Sequence, residues 1–393
     1  VTEAALLAIV LAAIAGVIAG RSWAAAQQRD RLGNRVPFRT SPHYLWSLHY
    51  LTRGELSLAL SELTKVSRND PTALEVELVR GSLLREMGQV ERALQVHQKL
   101  LADGELTRAE RAYTLASLGM DYRKAGFLDR AGETFQDALE RDPQNIQALV
   151  GLQKLYEDQR QWRQAYEVQT RLSRIRKTDD SLVLGFLQAA LGEEALRTGD
   201  REGAEKAFRT ALSLDPRVLP AHFGLADLLL PDQPKRAAQV LEEATRVSPE
   251  RAYMGFSRLA KAYTAAGEPS RFAALCEGII EKDRHDWRAR LALARQLLLT
   301  GDAEEALGLL LRALSRNPQV LILHLETWRT LKALGVHHEG LDRYLETAES
   351  SVVFADPHIC TACRYRADDL LWRCPHCHQW NTFVEERVVG TTA

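Results

Sequence analysis

Cys360-Thr361-Ala362-Cys363 and Cys374-Pro375-His376-Cys377 set two thiolate pairs at one internal spacing near the end of the chain. Cysteines two residues apart grip an ion from a tight turn, and two such turns facing each other complete a tetrahedron of sulfur. A shell closed by four sulfurs leaves no position for water or substrate, so the ion serves the fold rather than a reaction. A segment of a few dozen residues cannot bury enough core to fold unaided, which gives the ion its task. The competing reading, a redox-active CxxC, needs a helix N-terminus inside a longer βαβ domain, and no such pattern surrounds these cysteines. Zinc and a single iron both suit an all-sulfur site. Knuckles that hold iron usually carry Gly just after the second Cys, where this chain has Arg364 and His378; zinc is therefore expected, with iron as the alternative. His358, His376 and His378 are read as surface or neighbouring residues, and Trp372, Trp380 and Phe383 as a small core over the cage.

Charge excludes one class of partner. The 51 basic side chains are balanced by 52 acidic ones, which gives no bulk attraction to nucleic acid or acidic lipid. From Asp356 onward four Arg stand against five Asp or Glu, and four thiolates on a divalent ion add negative charge, so a nucleic-acid-binding ribbon is disfavoured. The fifth cysteine, Cys276, falls in an apolar helical stretch, where an unpaired Cys behaves as a small core hydrophobe. With the other four clustered as knuckles and no disulfide framework elsewhere, the chain is expected in a reducing compartment.

At the other end, Ala4 to Gly20 is an uncharged run of 17 residues. At 1.5 Å per residue it spans about 26 Å, against roughly 30 Å of bilayer hydrocarbon. Ala24, Ala25 and Ala26 give some colour to a cleaved signal peptide, but such a peptide begins with a basic stretch, and the charge before this run is Glu3. Arg21, Arg29, Arg31, Arg35 and Arg39 follow it against the single Asp30, which puts the downstream side in the cytoplasm. Residues 1–22 are thus expected as a transmembrane anchor and 23–40 as a basic juxtamembrane linker.

The residues between, 41–350, repeat at a period near 34, the tetratricopeptide spacing. The clearest copy, Ala112 to Asn145, carries Leu118, Gly119, Tyr122, Gly126, Ala131, Phe135, Ala138 and Pro143. Small Gly119 and Ala131 let paired helices approach, Tyr122 and Phe135 fill the gap between hairpins, and Pro143 stops the second helix. The small residue recurs at Ala59, Ala93, Ala131, Ala165, Ala204, Ala237 and Ala306, with Phe272 or Ala273 in one intervening copy and Gly340 marking a degenerate last one. About nine repeats are expected, an all-α right-handed superhelical solenoid whose inner face offers a partner a long concave surface. Pro71, Pro143, Pro216, Pro249 and Pro318 fall where hairpins should end. Extra residues before Ala131 and Ala204 read as lengthened connections, Glu157 and Asp158 as a solvated face, and His97 and His324 as core or boundary residues. There is no phosphate loop, no HExxH and no strand-turn-helix for a nucleophilic Ser, so an enzyme is not expected.

Three stretches carry a family resemblance: Gly88-Gln89-Val90-Glu91-Arg92-Ala93 running into His97-Gln98; Leu118-Gly119-Met120-Asp121-Tyr122 through Gly126 to Asp129-Arg130-Ala131; and Leu371-Trp372-Arg373-Cys374-Pro375 with Trp380. Together with the anchor and the tail, they make the whole chain resemble the lipopolysaccharide assembly protein B (LapB) family of Gram-negative bacteria. Arg364 departs from that pattern, since relatives often have Gly there. The resemblance implies a rubredoxin-like metal-binding domain over 356–393, with Cys360, Cys363, Cys374 and Cys377 as ligands. It further implies a single-pass adaptor on the cytoplasmic face of the inner membrane. There it helps the membrane protease FtsH degrade the lipid A pathway deacetylase, and a homodimer is a candidate assembly. The alternative is a general tethered scaffold for another envelope or secretion complex. Gly16 and Gly20 could also form a small-residue face toward other membrane helices.

Overall fold

A computed structural model describes residues 41–69, 73–103, 106–336, 339–340, 343 and 357–385. The apolar run of residues 4–20, the basic linker and Pro71 lie outside the described residues. Among the described residues no helix is long and apolar enough to cross a membrane.

Seventeen α-helices are described, and fourteen of them pair as hairpins. The first three hairpins are α1 (Pro42–Thr52) with α2 (Leu56–Asn69), α3 (Leu74–Glu86) with α4 (Val90–Asp103), and α5 (Arg108–Lys124) with α6 (Leu128–Arg141); α7 (Ile146–Asp158) and α8 (Trp162–Arg176) follow. The next four are α9 (Ser181–Arg197) with α10 (Arg201–Leu214), α11 (Leu219–Leu229) with α12 (Pro234–Val247), α13 (Phe256–Ala265) with α14 (Pro269–Lys282), and α15 (Trp287–Thr300) with α16 (Ala303–Arg316). α17 (Leu321–Ala333) opens the last repeat, and a short 3₁₀ segment, Pro249–Gly255, precedes α13. The chain then forms a small antiparallel sheet of β1 (His358–Cys360), β2 (Arg366–Ala367) and β3 (Phe383–Glu385) in the order β2-β1-β3.

The turns follow from residue type. Gly54, Gly88, Gly126, Gly199, Gly267 and Gly301 all have positive φ just past a first helix, where a left-handed residue closes the last carbonyls. Arg160 takes the equivalent position at φ 57° without that freedom. Pro143, Pro216, Pro249 and Pro318 each stand two residues after a second helix, as expected of a residue that cannot continue one. Of the lengthened connections anticipated before Ala131 and Ala204, the second is not there, and Gly104 and Glu105 of the first lie outside the described residues. The connection from α8 to α9 is four residues, as in most other repeats, and the extra residues add a turn to α5 and α9, each 17 residues long.

The contacts group the chain into residues 1–155 and 156–393, with the division inside α7. In the first unit Phe135, fully buried, lies between two helices that lack side chains at the contact. A Cβ on Gly119 would come within 2.6 Å of its ring, and one on Gly151 within 2.2 Å. One repeat earlier His97 occupies the aromatic position against Gly81. Its Nδ1 lies 2.5 Å from Asp121 Oδ2, and Arg85 donates to Asp121 Oδ1 at 2.8 Å, so this joint is a buried hydrogen-bonded trio rather than a purely apolar contact. The core reading of His97 therefore holds.

In the second unit Phe208 repeats the Phe135 geometry between Gly192 and Gly224. Of the two residues that could mark the unassigned repeat, Phe272 is fully buried while Ala273 is half-buried. Four residues on, Cys276 fills the position that Phe208 fills in its own repeat; burial pushes its thiol up to about 12, so it is an inert core group. His324 is a boundary residue, its Nε2 2.8 Å from the carbonyl oxygen of Pro318.

Candidate metal centre and its seat on the repeats

Each knuckle is built by the same local bonds. Arg364 N–H donates to Cys360 O at 2.9 Å and His378 N–H to Cys374 O at 2.9 Å. Cys360 N–H donates to Tyr365 O at 2.8 Å and Cys374 N–H to Gln379 O at 2.9 Å. Closing these turns forces the residue after the second Cys into the left-handed region, at φ 64° for Arg364 and 63° for His378. Side chains other than Gly adopt it at a cost of about 1 kcal/mol. The departure noted at Arg364 thus leaves the knuckle's shape intact and places its cost in backbone strain.

The turns bring the four sulfurs within 4.8 Å of one another, and no other such cluster occurs among the described residues. Cys360 and Cys377 Sγ are 3.7 Å apart, and Cys363 and Cys374 Sγ 3.6 Å. A tetrahedron with metal–sulfur bonds of about 2.3 Å has edges of about 3.8 Å, so the donor set fits a zinc-sized ion. Cys360 and Cys374 are buried over Phe383, and Cys363 and Cys377 are half-buried. Burial, with the neighbouring sulfurs adding to it, pushes the Cys377 thiol up to about 12, and burial raises Cys363 as well. Burial also opposes ionisation of Cys360, yet donors from the Thr382 hydroxyl and the Cys363 and Ala362 backbone hold it down to about 6. One thiolate forms readily and its neighbours resist, a conflict that a divalent cation removes by neutralising all four. Thr382 Oγ1 lies 3.2 Å from Cys360 Sγ and was not anticipated from the sequence.

The flanking histidines do other work. His376 stacks on Tyr365 with a 10° interplanar angle, and His378 meets Arg373 and Asp158.

The expected mini-core over the cage is only partly present. Phe383 belongs to it, but Trp372 and Trp380 turn away and pack on Phe186 of α9, with centroids 5.9 and 5.5 Å from its ring. Trp162 of α8 adds an edge contact to Trp380 at 6.2 Å. Beneath them the last turn of α7 supplies Glu157, which is 2% exposed. Arg373 Nε donates to Glu157 Oε2 at 2.7 Å and its Nη2 to Asp158 Oδ1 at 2.9 Å, while Trp380 Nε1–H donates to Glu157 Oε1 at 3.2 Å. Glu157 and Asp158 are therefore not a solvated face; they receive the ribbon. At its other side Arg251 bonds Asn381 and donates to Phe383 O at 3.1 Å, and Arg288, over the Tyr253 and Trp287 rings, pairs with Glu385. The ribbon thus spans from the end of α7 to the start of α15. A signal for this was present: two tryptophans flanking the second knuckle exceed what so small a core can cover.

Helical hairpins of this period, carrying a four-cysteine ribbon seated on them, define a tetratricopeptide-repeat protein with a rubredoxin-type metal-binding domain. Residues 358–385 match the model of a rubredoxin metal binding domain, and residues 189–234 match a tetratricopeptide repeat. Lipopolysaccharide assembly protein B of Escherichia coli strain K12 is 24% identical over 383 residues, covering 97% of each chain. The protein of the same name from Haemophilus influenzae is 25% identical over 402, again 97% of each. The chain is thus similar along nearly its whole length to proteins named lipopolysaccharide assembly protein B. Among solved structures, the C-terminal part of a tetratricopeptide repeat-containing protein from Cytophaga hutchinsonii superposes over 70% of this chain and 95% of its own at TM-score 0.43 and 13% identity.

Proposed function

We propose that this protein is a non-enzymatic adaptor of lipopolysaccharide assembly, held at the inner membrane by residues 1–22, with the linker 23–40, the repeats of 41–350 and the metal domain of 356–393 on the cytoplasmic side. In this reading it limits lipopolysaccharide synthesis by presenting the lipid A pathway deacetylase to the membrane protease FtsH. The carrying observation is the end-to-end match, 97% of both chains, to relatives named for lipopolysaccharide assembly. Repeat hairpins supply docking area without catalytic groups, which agrees with an adaptor. Confinement by an anchor raises the effective concentration of adaptor and protease without further contacts.

Cys360, Cys363, Cys374 and Cys377 hold zinc in this account, and the ion fixes the ribbon that the repeats carry. Elemental analysis of the purified full chain then finds one zinc; iron in its place, with the red colour of a ferric tetrathiolate, contradicts the assignment.

Depletion tests the pathway. Deacetylase abundance and lipopolysaccharide content rise together when this protein is removed, and the rise disappears in cells whose FtsH is inactivated. Unchanged deacetylase on depletion rejects the regulatory reading and leaves the general scaffold.

A further inference from the structure

Beside the ribbon, α13, α15 and the start of α17 enclose a groove of about 1080 Å³. Its lining is mainly apolar and includes Leu291, Ile322, Leu299 and Leu321, the last two 86% and 51% exposed. The helices that build it differ in charge from those before them. α13, α15 and α17 carry seven Arg or Lys against the single Glu326, whereas α9 and α11 carry three acidic residues against Arg197. Several of these cations are paired within the fold: Arg258 with Asp227, and Arg288 with Glu385. Arg295, in the lining, and Arg329 both pair with Glu326, and the Arg295 side chain is half exposed. Lys261, exposed in the lining, has no ion-pair partner among the described residues.

The ribbon shows what each stretch of this surface accepts. To the acidic pair Glu157 and Asp158 it offers Arg373, and to Arg288 it offers Glu385. The groove continues from that second contact, since His358 and Glu385 line its ribbon side. We infer that this groove docks an acidic amphipathic segment of a protein partner, its apolar side chains against Leu299 and Leu321 and its carboxylates toward Lys261 and Arg295. Apolar anchors seat such a segment, and the surrounding charge selects its sign and hastens its arrival. The inference rests on the adaptor reading only in taking the partner to be a protein.

The test uses the zinc-loaded full chain in detergent and two fluorescein-labelled peptides of about 14 residues, four helical turns, that share leucines on one face and carry either Glu or Lys elsewhere. The acidic peptide is expected to bind at least about tenfold more tightly than the basic one and to weaken as salt rises. Lys261→Glu should bring the two peptides to within about twofold, and Leu299→Asp should weaken the acidic peptide about tenfold. Both positions are exposed, so the unfolding midpoint should not move, which separates lost docking from lost folding. Equal binding of the two peptides, binding of neither, or indifference to both substitutions overturns the inference. It is equally overturned if phosphatidylglycerol vesicles displace the acidic peptide and themselves lose affinity on Leu299→Asp, or if that substitution converts a dimer into a monomer. Charge-selective peptide binding alongside unchanged deacetylase on depletion would keep the groove and reject the pathway; the reverse would reject the groove alone.

Discussion

The repeats and the ribbon keep their shape by opposite means. In the repeats, rings such as Phe135 and Phe208 sit fully buried against facing glycines, so the helices around them are held by apolar contact. In the ribbon the buried hydrophobic side chains are Ile359, Cys360, Cys374 and Phe383, and two of those are ligands in waiting. Its tryptophans are spent on the repeats instead of on itself. A domain so built depends on its ion for local shape and on its seat for position, and those two dependences can be broken separately.

The largest effect is expected at the cage. Structural zinc contributes about 10–16 kcal/mol to folding of a small metal domain, so Cys374→Ser should release the ion and open the ribbon to protease. The repeats should keep their helical circular dichroism, because no repeat core uses the cage. Phe208→Ala attacks the other region: it should lower stability by about 3–5 kcal/mol, read as a lower urea midpoint, with zinc content unchanged. Arg373→Ala addresses the seat. It leaves the carboxylate of Glu157 buried without its cation, and a loss of about 3 kcal/mol is expected, visible as faster proteolysis between the repeats and a ribbon that still holds zinc. Arg364→Gly should act in the other direction, raising the ribbon's stability by about 0.5–1 kcal/mol as backbone strain is relieved, measured as resistance of zinc to a chelator.

What could be read in advance follows from how local each cause is. The alanines at a spacing near 34 residues and the prolines past second helices mark the hairpins because helix approach and helix termination are decided within one repeat. The two CxxC turns are equally local. By contrast, the added turns in α5 and α9 look, in a one-dimensional count, the same as longer loops. Glu157 looked like a solvated charge because its partners, Arg373 and Trp380, lie more than two hundred residues away. The seat of Trp372 and Trp380 is hidden for the same reason: nothing in the tail alone reveals that Phe186 receives them.

Hydrogen exchange on the full chain before and after zinc removal tests most directly the claim that a metal-shaped ribbon is seated on the repeats. The account predicts loss of protection through residues 357–385, in the last turn of α7 and around Phe186, with α5 and α6 unchanged. Protection that persists at Glu157 and Phe186 while the ribbon exchanges freely would contradict it.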